Sequence, residues 1–246
     1  MRCERTVLIL MLCLGCTFFV APSFSETPKE VRVMEPHNLY KLMLNNTVKL
    51  TSENVYHNTA RAYATGFVIS PHYVATAFHI LSADHRIVIK SSDDTPEMEG
   101  GLIFAYPQLD FAILEFKDAS FSPTISFAVS VHVTEPMYGV SNDGGYGLQY
   151  NEYFVGAIRE QEATLDGDER TVTRIFLKTS VVSGSSGSAI YNQNGEIIGM
   201  ITDAMIASDT NETISQFGGI ALSAEHMVEV IRKYQHIDRE KSDTKE

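Results

Sequence analysis

The chain has 246 residues, 44% of them hydrophobic, and its 31 acidic residues outweigh 19 basic ones to give a net charge of −12. That balance has the wrong sign for displacing counterions from a phosphate backbone, so no nucleic-acid partner is expected. The 3 cysteines, Cys3, Cys13 and Cys16, all lie near the N-terminus, which leaves the rest of the chain without Cys-based catalysis, Cys-ligated zinc or disulfides and dependent on a hydrophobic core.

Residues 1–25 join a basic start, Arg2 and Arg5, to an apolar run over residues 7–21 and a small-residue end at Ser23-Phe24-Ser25. This is the pattern of a secretory signal peptide, too short for a comfortable membrane span. It predicts a secreted or periplasmic protein whose mature form has no membrane attachment unless Cys16, which follows Leu14-Gly15, is lipidated; a retained signal anchor is the other alternative. Removing a segment with two arginines and one glutamate takes the net charge to −13, a value that favours solubility and disfavours anionic membranes.

Residues 26–37, with Pro28 and Pro36, read as a linker, and one folded domain is expected over residues 38–235. Leu39, Leu42 and Met43 share a helical spacing, which predicts a short helix over residues 37–46. Runs of β-branched and aromatic residues then predict strands at 47–51, 62–69, 73–78, 86–90, 102–106 and 111–116, a first barrel over about residues 47–116. Residues 117–134 read as a connection. A second set, at 137–141, 152–159, 171–179, 188–191, 195–202 and 214–222, predicts a second barrel over about residues 135–222. An amphipathic helix closes the domain at residues 223–235. Ser223 is its N-cap, Met227, Val230, Ile231 and Tyr234 form one face, and packing against the second barrel is expected. Residues 236–246 form a polar tail, and Asp166-Gly167-Asp168-Glu169 reads as a solvated loop. The fold class is all-β: two six-stranded antiparallel barrels with a C-terminal α-helix.

Gly184-Ser185-Ser186-Gly187-Ser188 carries the chemistry. It sets a serine hydroxyl on a glycine-bordered turn and offers the backbone N–H groups of Gly184 and Ser186 to a developing oxyanion, as acyl transfer requires. Upstream, His79 follows Thr76-Ala77-Phe78 at the end of an apolar run, and Asp110 enters the strand Phe111-Ala112-Ile113-Leu114. His, Asp, Ser is one of the chain orders of the Ser-His-Asp triad. With His79 and Asp110 on the first barrel and Ser186 on the second, the site would fall in the cleft between them.

These three segments resemble the signature segments of trypsin-like serine endopeptidases. The nearest flavour is the disulfide-free bacterial branch, which includes glutamyl endopeptidases and the protease domains of the high-temperature-requirement family. The resemblance runs over residues 38–235. It implies the trypsin-like double barrel, His79 as general base, Asp110 as its orienter, Ser186 as nucleophile, and the amides of Gly184 and Ser186 as oxyanion hole. It further implies a protein or peptide substrate, a pocket near Thr179, Thr202 and Asp203, and no metal or organic cofactor. Phe78 stands where the family usually has alanine, and Ser185 where it often has asparagine or aspartate.

The alternative within the same fold is a catalytically inactive binding protein; an esterase using the same triad would differ only in substrate. An α/β-hydrolase needs its acid and histidine after the serine, and only His226 and His236 follow Ser186. Gly144-Gly145-Tyr146-Gly147 lacks the lysine and hydroxyl residue of a phosphate loop, and the histidines show no metal-ligand spacing.

Overall fold

The structure, a computed structural model, describes residues 33–54, 61–81, 85–90, 96–128, 130–208 and 214–243. The segment read as a signal peptide, the three cysteines including Cys16, the residue considered for lipidation, and most of the stretch read as a linker lie outside the described residues. Helix α1 (Pro36–Asn46) precedes strands β1 (Thr47–Asn54), β2 (Arg61–Val68), β3 (Tyr73–Thr76), β4 (His85–Lys90), β5 (Met98–Tyr106) and β6 (Phe111–Glu115). These close a first antiparallel barrel in the order β1-β2-β3-β6-β5-β4. Strands β7 (Pro136–Ser141), β8 (Gln149–Leu165), β9 (Asp168–Leu177), β10 (Ala189–Tyr191), β11 (Ile197–Ser208) and β12 (Ile214–Ser223) close a second in the order β10-β11-β12-β9-β8-β7, and helix α2 (Ala224–Asp243) ends the fold. Among the described residues no helix is long and apolar enough to cross a membrane.

Why these strands hold barrels follows from the two-residue period of side-chain direction. In β2, β3 and β6, every residue of Phe67-Val68, Val74-Ala75 and Ile113-Leu114 is buried, but alternate residues go to different cores. Val68, Val74 and Leu114 fill the first barrel with Leu50, Ile89 and Phe116. Phe67, Ala75 and Ile113 point outward into a layer shared with Met43, Phe111, Tyr191, Met200 and Met227. That layer joins the barrels, while Tyr153, Val155, Ile175, Leu177, Ile190 and Ile201 fill the second barrel.

Three local expectations change. The third strand stops at Thr76, and Phe78–Ile80 form a 3-10 turn, because the His79 amide is taken by the Asp110 side chain rather than by a strand neighbour. The Asp166–Glu169 segment is a tight hairpin rather than a longer loop: Asp166 and Gly167 both have positive φ, 55° and 91°, as a two-residue turn with right-handed strand twist demands, and Asp-Gly is its sequence signature. Helix α2 continues to Asp243, through most of the stretch read as a tail.

Met227, Val230, Ile231 and Tyr234 of α2 are buried as their spacing predicts, but the helix serves both barrels. Tyr234 meets Tyr73 of the first barrel edge to face at 5.5 Å, and Lys233 lies 5.3 Å over the Tyr106 ring while pairing with Asp166. On the second barrel, buried His226 accepts the Thr173 amide at its Nε2 at 2.8 Å. Burial is the main cause that holds its pKa below the usual histidine value, which keeps Nε2 available as an acceptor. Replacing His226 with leucine orphans the Thr173 amide, so urea denaturation of that variant should show a loss of about 1–3 kcal/mol.

Candidate active site

His79 and Asp110 are brought together by two turns zipped along their backbones. The Phe78 amide donates to the Asp110 carbonyl at 3.2 Å, and the His79 amide donates to Asp110 Oδ1 at 2.7 Å. Asp110 closes the turn Pro107–Leu109 in the left-handed region at φ 58°, a conformation aspartate tolerates better than most residues. Its second oxygen, Oδ2, then lies 2.7 Å from His79 Nδ1. With both carboxylate oxygens engaged, the imidazole is fixed in direction and its tautomer is set: Nδ1 carries the proton and Nε2 is the free base.

His79 Nε2 lies 3.1 Å from Ser186 Oγ across the interface between barrels. The hydrogen bond that His79 donates to Asp110 is the largest influence on its pKa and raises it above 6.5; partial burial opposes this, and the charges of Asp110 and Asp203 add to it.

The Ser186 turn is built by the second barrel but held by the first. Thr65 of β2, fully buried, donates its amide to the Ser186 carbonyl at 2.9 Å and its hydroxyl to the Gly184 carbonyl at 2.7 Å. The same hydroxyl accepts the Asn142 amide at 2.9 Å, and the Thr65 carbonyl accepts the Thr76 hydroxyl at 2.8 Å. Such close backbone approach requires glycine on both sides of Ser186. Gly184 (φ 100°) and Gly187 (φ 85°) are left-handed, and a Cβ there would stand 2.1 Å from the Asn142 carbonyl oxygen and 2.2 Å from that of Thr65. Among the described residues the amides of Gly184 and Ser186 have no hydrogen-bond partner, while those of Ser185, Gly187 and Ser188 are bound to Val182, Ile201 and Ser185. Two free donors therefore flank the Ser186 hydroxyl.

Ser185 is too short to bring a carboxylate or amide to this turn, and Asp143 supplies one from the loop after β7. Asp143 Oδ1 accepts the hydroxyls of Ser185 at 2.8 Å and Ser141 at 2.6 Å, and Oδ2 accepts Asn151 Nδ2 at 3.1 Å. Phe78 is half-buried, and with it in place His79 Nε2 still lies within hydrogen-bond distance of Ser186 Oγ.

This geometry coincides with family membership. The family model for the trypsin-like peptidase domain matches residues 64–200, more than half of the chain and all three motif segments. The chain belongs to that family. It is 31% identical over 134 residues to the periplasmic pH-dependent serine endoprotease DegQ of Escherichia coli K12, covering 53% of this chain and 28% of DegQ. It is 26% identical over 145 residues to the serine protease Rv3671c of Mycobacterium tuberculosis H37Rv, covering 58% of this chain and 36% of that protein. The chain thus spans about a third of the length of these relatives. Among solved structures, the active form of the Rv3671c protease superposes with a TM-score of 0.66 at 19% identity, over 81% of this chain and 86% of that one. The HtrA-type protease AlgW with a tripeptide gives 0.65 at 18%, over 81% and 63%. At these identities the likeness establishes the shared trypsin-like fold.

Of the three residues expected near a substrate pocket, Thr202 is buried and directs its hydroxyl to the Ile220 carbonyl at 3.3 Å, so that hydroxyl is turned toward the neighbouring strand. Thr179 is half-buried just beyond β9, and Asp203 is exposed on β11, near enough for its charge to act on His79. The residues that sequence reading missed are Thr65, Asn142 and Asp143. Asn142 and Asp143 are polar residues just after β7, whereas Thr65 lies inside β2 with no local signal to mark it.

Thr65→Val keeps the shape and removes the hydroxyl, leaving the buried Gly184 carbonyl and Asn142 amide unpaired. Chemical denaturation should show a loss of about 1–3 kcal/mol, whereas Thr65→Ser should stay within about 1 kcal/mol of the parent.

Proposed function

We propose that this protein is a secreted or periplasmic serine endopeptidase that hydrolyses peptide bonds through His79, Asp110 and Ser186 and an acyl-enzyme intermediate. The observation that carries the reading is the unbroken hydrogen-bonded series from Asp110 Oδ2 through His79 to Ser186 Oγ, 2.7 and 3.1 Å, ending beside two unpaired amides. The location is supported by the basic and apolar N-terminal segment and by relatives named periplasmic.

In this mechanism Ser186 Oγ attacks the scissile carbonyl carbon while its proton passes to His79 Nε2. The carbonyl oxygen, now negative, is held by the N–H groups of Gly184 and Ser186; one such donor is typically worth ~2.7–4 kcal/mol of barrier. Asp110 stabilises the imidazolium formed in this step. His79 then returns the proton to the leaving amine as the C–N bond breaks, which leaves the acyl group on Ser186. A water molecule, losing its proton to His79, attacks the acyl carbon, and His79 returns that proton to Ser186 Oγ as the acyl C–O bond breaks and the acid leaves.

Hydrolysis of an unfolded protein such as casein tests the reading. Ser186→Ala and His79→Ala should each lower kcat by about 10⁴-fold or more with an unchanged melting temperature, whereas undiminished hydrolysis in either variant would refute the assignment. His79 must be neutral to accept a proton, and Asp110 raises its pKa. The acid limb of kcat/KM should therefore lie above 6.5, with activity lost as pH falls through it. Asp203→Asn removes one charge that raises the His79 pKa and should move that limb to lower pH.

A further inference from the structure

Strand β11 offers the site an open edge. It pairs with β12 from Gly199 to Ser208, but with β10 only from Ile197 to Met200. Ile201 then fastens β11 to the serine turn, donating to the Ser188 carbonyl at 2.9 Å and accepting the Gly187 amide at 2.8 Å. Beyond Ile201, that edge carries no strand among the described residues. An extended peptide whose scissile carbonyl reaches Ser186 has a strand to pair with here, since unpaired main-chain groups on a sheet edge are a general template for peptide binding.

A β-bulge decides which side chain this edge presents. Against β12, Ile201 faces Ala221 and Asp203 faces Ile220, so Thr202 is an extra residue. The insertion shifts the two-residue alternation: Ile201 lies in the barrel core, Ala204 packs against that core, and Asp203 between them is turned out. Without the bulge Asp203 would share the inward face of Ile201. Among the described residues its carboxylate has no hydrogen bond and no ion pair, although it is close enough to act on both His79 and Arg174. Half-buried Arg174 directs Nη1 to the Leu109 carbonyl at 3.4 Å, next to Asp110, and the charges of Asp203 and Asp110 both act on its guanidinium. With His79 neutral, Asp110, Asp203 and Arg174 leave one negative charge uncompensated at the mouth of the site.

We propose that Asp203 is a specificity-determining residue that selects a lysine or arginine side chain in the substrate segment laid along β11 beside His79. This rests on the peptidase reading for its biological use, but the recognition itself can be measured without catalysis. The cation would complete the charge balance of the cluster, and the negative charge of the whole chain would draw cationic peptides toward it.

The test uses fluorescent hexapeptides that differ only by a lysine, glutamine or glutamate walked through the positions before the scissile bond. Anisotropy on Ser186→Ala should give lysine peptides about five-fold tighter binding than glutamine peptides at one position, an advantage that shrinks in about 0.5 M salt. Adding Asp203→Asn should abolish the lysine preference, and adding Asp203→Lys should reverse it toward glutamate. An unchanged lysine to glutamine ratio in Asp203→Asn would overturn the inference. The same peptides offered to the protein with Ser186 intact separate the two claims. Cleavage with no basic preference keeps the peptidase and rejects Asp203 as a selector. An Asp203-dependent lysine preference in binding, without cleavage, keeps the selector and rejects the peptidase.

Discussion

The site depends on a seam of buried hydrogen bonds by which β2 of the first barrel grips the serine turn of the second. Thr65 holds the carbonyls of Ser186 and Gly184, and through the same hydroxyl it anchors Asn142, the residue leading to the loop that carries Asp143. Thr65, Gly184 and Asn142 are buried, where an unpaired carbonyl or amide is costly, so the seam tolerates little displacement. Because the histidine and aspartate belong to one barrel and the serine to the other, the 3.1 Å separation between Nε2 and Oγ is a direct consequence of how the barrels are locked. The apolar layer of Phe67, Phe111, Tyr191 and Met200 supplies the adhesion between them, and the Thr65 seam supplies the register.

Helix α2 adds a second brace. Tyr234 reaches Tyr73, on the strand that delivers Thr76 and runs into the turn bearing His79, and Lys233 lies over Tyr106, which precedes the turn bearing Asp110. A C-terminal element thus supports both turns of the first barrel, although its own cap and N-terminal half rest on the second. Perturbing the helix far from Ser186 is therefore expected to be felt at His79 and Asp110 before it is felt at the serine turn.

Most of the architecture was legible because burial follows period. Short apolar runs such as Tyr73–Thr76 and Phe111–Glu115 are buried along nearly their whole length and announce themselves as strands. The β8–β9 hairpin was cut short for the opposite reason: Glu160, Gln161 and Glu162 are all exposed, so neither face offers an apolar signal to extend the strand. The end of β3 was misread because a partner 31 positions away, Asp110, determines it, and no local pattern encodes that contact. At the site, motif order brought out His79, Asp110, Gly184 and Ser186. It could not bring out Thr65 or Asp143, whose roles depend on which way a single hydroxyl or carboxylate points after the barrels meet. Asp203 enters through the pocket that the family resemblance implies, but its outward direction depends on a bulge visible only in the pairing of β11 with β12.

The central claim is that this packing produces an activated serine, and the most direct measurement is reaction of the mature protein with a fluorophosphonate, with the adduct located by mass spectrometry. The account predicts a single adduct on Ser186, formed rapidly in the parent and lost in His79→Ala. A folded protein that stays unlabelled, or that labels equally well without His79, would contradict it.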